Sequence, residues 1–115
     1  VATQQGVWLR DGNSFIHINE VVSASHISGI TRYQFNANRQ LQTVSFAKSG
    51  VYQHKNWLMN DVMQSTIGKQ IAAEHQAQAQ WSMTLNPLIL KLAAVDPVDM
   101  TLGKLYGYNQ YRKAN

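Results

Sequence analysis

From Leu41 to Val62 the chain reads Leu-Gln-Thr-Val-Ser-Phe-Ala-Lys-Ser-Gly-Val-Tyr-Gln-His-Lys-Asn-Trp-Leu-Met-Asn-Asp-Val, and this stretch narrows the possible folds most. Val44 and Phe46 alternate with Thr43 and Ser45, Val51 and Tyr52 follow Ser49-Gly50, and Trp57, Leu58 and Met59 follow His54-Lys55-Asn56. Apolar residues two apart put one face of a strand toward an interior, whereas a helical stripe needs spacings of three and four. The Ser-Gly and Lys-Asn pairs are turn residues, so the stretch predicts a meander of short strands broken at both places.

The flanking segments repeat the pattern. Gly6–Arg10 and Ser14–Ile18 read as two strands around Asp11-Gly12-Asn13, a hairpin turn whose residues tolerate positive φ. Ile27 to Asn36 predicts another strand, with Tyr33 and Phe35 alternating with Arg32 and Gln34, ending at Asn36-Ala37-Asn38. A further strand runs from Trp57 toward Thr66 and Gly68-Lys69.

Gln70 to Leu85 is rich in Ala, Gln and Glu, good helix formers. Its period decides otherwise. Ile71, Ala73, His75, Ala77, Ala79, Trp81, Met83 and Leu85 share one parity, which predicts a long strand with those residues facing in. Asn86-Pro87 reads as a break and Leu88 to Leu92 as a last apolar strand; Asp96-Pro97 reads as a helix cap with proline at the first helical position, opening a short C-terminal helix. Many short strands with turns between them give an all-β domain: a sandwich, a jelly roll or a partly open barrel.

With 115 residues there is material for a single domain with its own core. No cysteine is present, which excludes disulfides and thiol chemistry. No apolar run reaches the ~20 residues of a membrane-spanning helix. Ten Lys and Arg against six Asp and Glu leave a charge of +4, but the basic residues are scattered, so nucleic acid ranks last among partners. His17, His26, His54 and His75 fall at no metal-ligand spacing, and no nucleophile, phosphate-loop or dinucleotide motif occurs. The expectation is therefore no catalytic residue, no metal, no cofactor and no enzyme activity. His75, on the parity of its apolar neighbours, is expected to point inward as a hydrogen-bonded core imidazole.

What stands out is apolar: three Trp, five Tyr, three Phe and four Met. Most read as plain core. The sharper expectation is a slot between two splayed sheets that takes acyl chains, each buried methylene contributing ~0.8 kcal/mol. Parity nominates Ile16, Ile18, Tyr33, Phe35 and Val44 as inward, lipid-facing candidates, and with them Phe46, Trp57, Met59, Trp81 and Met83. Arg32 and Lys48, near an opening, are candidates to meet lipid phosphates, against the plainer reading as solvated surface.

Gly6 through Ile16, Tyr33-Gln34-Phe35-Asn36, Leu41-Gln42-Thr43-Val44, Tyr52 through Trp57, and Asp96-Pro97 with Leu102, Leu105 and Tyr108 resemble the LptF/LptG permease family of the Gram-negative lipopolysaccharide exporter. The likeness spans most of the chain and is thinnest from Ile67 to Gln80. It implies a β-jellyroll of two facing antiparallel sheets on the periplasmic side of the inner membrane. The domain, residues 1–115, would be excised from between transmembrane helices 3 and 4, with 96–115 a helical segment leading to the next membrane helix. In that family LptF and LptG pair with the cytoplasmic ATPase LptB and with LptC to extract lipopolysaccharide and pass it to a periplasmic bridge. Two other roles compete: a purely structural, subunit-docking domain, and a carbohydrate-binding sandwich.

Overall fold

The computed structural model describes residues 4–68, 70, 72–95 and 100–101. Six strands follow one another, β1 (Gln4–Asp11), β2 (Ser14–Ser23), β3 (His26–Phe35), β4 (Leu41–Gln53), β5 (Asn56–Thr66) and β6 (Ala72–Trp81). Helix α1 (Pro87–Val95) and the two-residue strand β7 (Met100–Thr101) complete the elements of the described residues. Consecutive strands from β1 to β6 pair antiparallel, and β7 adds in parallel to β1, giving one sheet in the order β6-β5-β4-β3-β2-β1-β7.

The turns follow their sequence. Gly12, at φ 62, supplies the positive dihedral of the β1–β2 hairpin, and His54 and Lys55, at φ 54 and 65, make the two-residue turn between β4 and β5. Between β3 and β4 the Asn36 side chain accepts from the Asn38 and Gln40 amides at 2.8 and 3.0 Å. Ser49-Gly50, expected to break the meander, does not. β4 runs straight through it, because Gly50 lies opposite Met59 and a Cβ there would stand 2.5 Å from the methionine sulfur. The glycine makes room for a neighbour and turns nothing.

A crease crosses the sheet. Gly6, Asn19, Gly29, Lys48, Asp61 and Ala77 occupy one cross-strand row, and that row drops out of all five antiparallel ladders while the register is the same on either side of it. Alternate strands meet it with positive φ: Gly6 at 62, Gly29 at 66 and Asp61 at 53. Inward residues are consequently three apart across the row, as in Ile18 and Val21, Ile27 and Ile30, or Met59 and Val62, instead of two or four.

The crease folds the sheet onto itself. Arg32 shares a row with Ser45, Gln64 and Glu74, so on a flat sheet it would lie three strands and seven residues from Trp81, ~14 Å sideways and ~23 Å along. The Arg32 guanidinium instead sits 4.1 Å from the Trp81 ring centroid. The two facing layers expected of a jellyroll are thus two leaves of a single ladder. Between them lies one core cluster, including Leu9, Ile16, Ile18, Ile30, Trp57, Met59 and Leu85.

The helix differs from expectation. Leu88 to Leu92 is helical, not a strand, since Asn86 caps the first turn by accepting from the Ile89 amide at 2.9 Å and Pro87 takes the first helical position. Ile89, Leu90 and Ala93 are buried while Leu88 and Lys91 are exposed, a helical spacing. The expected cap at Asp96-Pro97 and the residues from Leu102 onward lie outside the described residues, and Met100–Thr101, expected in a helix, pairs with Leu9 and Arg10. β6 also departs from its alternation: Ala73 to Gln78 are exposed on both faces, because at the sheet's edge the strand extends past the core.

Candidate functional site

The residues nominated from parity divide between two faces. Ile16, Ile18, Trp57, Met59 and Trp81 are buried between the leaves, and Met83 packs against that cluster from the segment after β6. Tyr33, Phe35, Val44 and Phe46 face outward. Tyr33 pairs with Phe15 and Val44, Phe46 pairs with Thr31 and Met63, and Phe35 lies 5.8 Å from the Phe15 ring. In β4 it is the small residues Ser45 and Ala47 that point inward, both at 0% exposure, because large side chains from the opposite leaf fill the space. Ser45 satisfies its hydroxyl by donating to the Gln64 side-chain oxygen at 3.4 Å. Lys48 falls on the crease row and is exposed.

The inner face is close-packed. Ile16, Ile18, Ile30, Trp57 and Met59 are all at 0% exposure within one core cluster, so in this conformation no room is left for a guest beside them. The rim of the roll is closed by residues 82–86, which carry the chain from β6 to α1. Trp57 Nε1 donates to the Leu85 carbonyl at 2.9 Å, and the Thr84 amide donates to Asp11 Oδ2 at 3.0 Å. Both bonds tie this strap to strands, the second reaching the opposite leaf.

Under the strap is a cleft of about 430 Å³ lined by Asp11, Ser14, Arg32, Gln34, Ser82, Met83 and Thr84. Arg32 dominates it. Partial burial lowers the pKa of its guanidinium, while the negative charge of Asp11 acts the other way. Its Nε is buried and has no hydrogen-bond partner among the described residues. The sequence held one sign of this: Arg32 has the parity of Ile30, a charge on an apolar face.

The outer face carries a stripe of its own. Trp8, His17, Thr31, Phe46, Met63 and His75 lie side by side across β1 to β6, with Trp8 48%, Phe46 43% and Met63 47% exposed. Trp8 stacks on Tyr33 at 6.0 Å and touches His17 at 4.5 Å. His75, expected in the interior, is half exposed and 3.4 Å from Asp61 at the crease. Among the described residues no three His, Cys, Asp or Glu gather into a metal site, and no helix is long and apolar enough to cross a membrane.

Residues 1–115 match the family described as lipopolysaccharide export system permease LptF/LptG. The chain belongs to the LptF/LptG family. It is similar to the lipopolysaccharide export system permease protein LptG of Escherichia coli (strain K12), at 35% identity over 119 residues covering 100% of this chain and 33% of that protein. The corresponding protein of Haemophilus influenzae is 25% identical over 111 residues, 94% of this chain and 31% of its own length. The chain thus spans about a third of the length of the curated relatives it matches. The family is one of transporter components, and this member contributes to it a creased, all-β roll.

Proposed function

We propose that this chain is the periplasmic domain of an LptG-type permease subunit, and that it takes part in moving lipopolysaccharide from the inner membrane toward the periplasmic bridge. The observation that carries the reading is the family match over the whole chain, together with relatives named LptG. The fold supports it: two leaves enclose a continuous apolar face that includes Ile16, Ile18, Met59 and Trp81. LptF, LptB and LptC are the partners this assigns, with lipopolysaccharide as cargo and ATP hydrolysis on another subunit. Because the inner face is filled, lipid passage through the domain requires the leaves to part at the strap.

Photo-crosslinking in the assembled transporter tests this. A probe at Met59 or Trp81 capturing lipopolysaccharide, and one at Lys48 or Phe46 capturing none, is the expected result. Capture at neither inner position removes the path through this domain.

One observation favours a second reading, a docking domain past which the lipid travels. The outer stripe leaves three large apolar residues, Trp8, Phe46 and Met63, in water, the mark of a surface that meets another protein. Under that reading Phe46 probes crosslink to a neighbouring subunit and inner-face charges leave transport intact.

A further inference from the structure

Beside the β1–β2 and β3–β4 turns a second cleft, of about 240 Å³, gathers two cations and no acid. Arg10 and Arg39 line it together with Phe15, Phe35, Asn13 and Asn36. Both arginines are exposed, and among the described residues neither has an ion-pair partner. The Arg10 guanidinium lies over the Phe15 ring, 5.7 Å from its centroid, and Nε donates to the Gly12 carbonyl at 3.3 Å, which leaves two terminal amino groups to solvent. Like charges in one small cleft repel, and an anion placed between them turns that repulsion into attraction.

The backbone at Arg39 agrees. Its amide closes the β3–β4 turn on the Asn36 carbonyl at 3.0 Å, and its φ of 62 is a left-handed conformation that glycine adopts without strain. A turn alone would be better served by glycine. Strain held at a residue whose side chain lines a cleft marks a side chain with a use.

The rest of the lining narrows the ligand. Phe15, 37% exposed, meets Phe35 edge-on at 5.8 Å, so half of the cleft is aromatic ring. The Asn36 side chain is engaged within its own turn, accepting from the Asn38 and Gln40 amides and donating to Gln40 Oε1, so little remains to pair the hydroxyls of a sugar or headgroup. A carboxylate carried next to an apolar side chain suits both halves: its oxygens take the guanidinium forks while the hydrocarbon lies on the rings. This chain has few acids to offer. Asp11 holds the Thr84 amide and Asp61 faces His75; β7 pairs with Leu9 and Arg10, and residues 102–115, which follow it in sequence, hold Lys104, Arg112 and Lys113 but no Asp or Glu.

We propose that the Arg10–Arg39 corner docks an acidic peptide segment of a neighbouring subunit, with an Asp or Glu side chain on the guanidiniums and an adjacent apolar side chain on Phe15 and Phe35. The ligand chemistry stands on the cleft; that the neighbour is a subunit of the transporter rests on the reading above.

The test is a photo-crosslinking probe at Asn13 in the assembled transporter, with the captured peptide mapped by mass spectrometry. The expected product joins Asn13 to a segment of another subunit that carries Asp or Glu beside an apolar residue. Arg10→Glu with Arg39→Glu is expected to lower the yield about tenfold or more, and reversing the captured acid to Lys to restore it. Arg39→Gly relieves the dihedral, so the unfolding midpoint of the 115-residue chain should hold or rise while capture falls. A midpoint that falls with capture unchanged makes Arg39 a turn residue and overturns its role. Capture of lipid, of this subunit's own residues, of a segment without acids, or of nothing overturns the site. If the Asn13 probe captures nothing while the Met59 or Trp81 probe captures lipopolysaccharide, the corner fails and the transport reading stands; the reverse pattern leaves the corner and removes the path through the domain.

Discussion

Gly50 and Met59 face one another across the β4–β5 ladder, and the methionine sulfur fills the space in which a side chain on residue 50 would begin. Both are buried, so neither has solvent to move into. Gly50→Ala is therefore expected to destabilise the domain by about 1–3 kcal/mol through overpacking. Met59→Ala alone should cost about 2–5 kcal/mol by opening a cavity. The double variant should cost less than the sum, and urea unfolding of the three proteins measures that coupling. Additive losses would show that the two residues do not share the space.

The Trp57 indole is the fixture of the strap. Its N–H satisfies the carbonyl of Leu85, whose side chain is itself fully buried. Trp57→Phe retains a ring but leaves that carbonyl unpaired, at an expected cost of about 1–3 kcal/mol. Hydrogen exchange should show faster opening of α1 than of β2 and β3 in this variant. Equal acceleration everywhere would mean that the bond supports the whole fold and not the strap.

The crease makes two contrasting forecasts. Gly29, at φ 66, has the Asn19 Cβ 2.8 Å from where its own would be, so Gly29→Ala should cost about 2 kcal/mol or more. Asp61 meets the same row at φ 53 with a side chain already in place. Asp61→Gly relieves that dihedral but loses the contact with half-exposed His75, and the change in stability should stay within about 1 kcal/mol. Denaturant midpoints of the two variants check the large loss and the small change at once.

On the outer face, Phe46→Asp is expected to leave the unfolding midpoint of the isolated chain nearly unchanged, by about 1 kcal/mol or less, since the ring is 43% exposed. If the stripe docks a subunit, the same change should lower recovery of that subunit on purification of the transporter. Unchanged recovery with Phe46→Asp and Met63→Asp together would count against docking by this face.

Local signals in the sequence were legible at the chain reversals. Asp11-Gly12-Asn13 names its turn, and the turn expected at Lys55-Asn56 falls one residue earlier, at His54-Lys55, with Asn56 opening β5. Parity reasoning failed where the pleat is interrupted. Ile18 and Val21 both face inward three apart, and of the residues on that row only the glycines hint at it, while Asn19, Lys48 and Ala77 give no sign. Within β4 the apolar Val44 and Phe46 suggested the inner face, yet Ser45 and Ala47 occupy it because the facing leaf brings Trp57, Met59 and Trp81. Leu88 to Leu92 is too short for period to separate helix from strand; the cap at Asn86 and Pro87 was the available evidence. Arg32 and Trp81 meet only once the sheet has doubled back, a relation that spacing along the chain does not encode.

Both walls of the roll are woven from one uninterrupted set of strands, joined along the crease as a book is joined at its spine. Parting the covers at the rim would break the strap's few bonds and expose side chains, but it would uncover no new strand edge. A hydrocarbon guest would thus meet peptide groups already hydrogen-bonded to their neighbours, and the domain would reach its open form without presenting the raw backbone that invites aggregation.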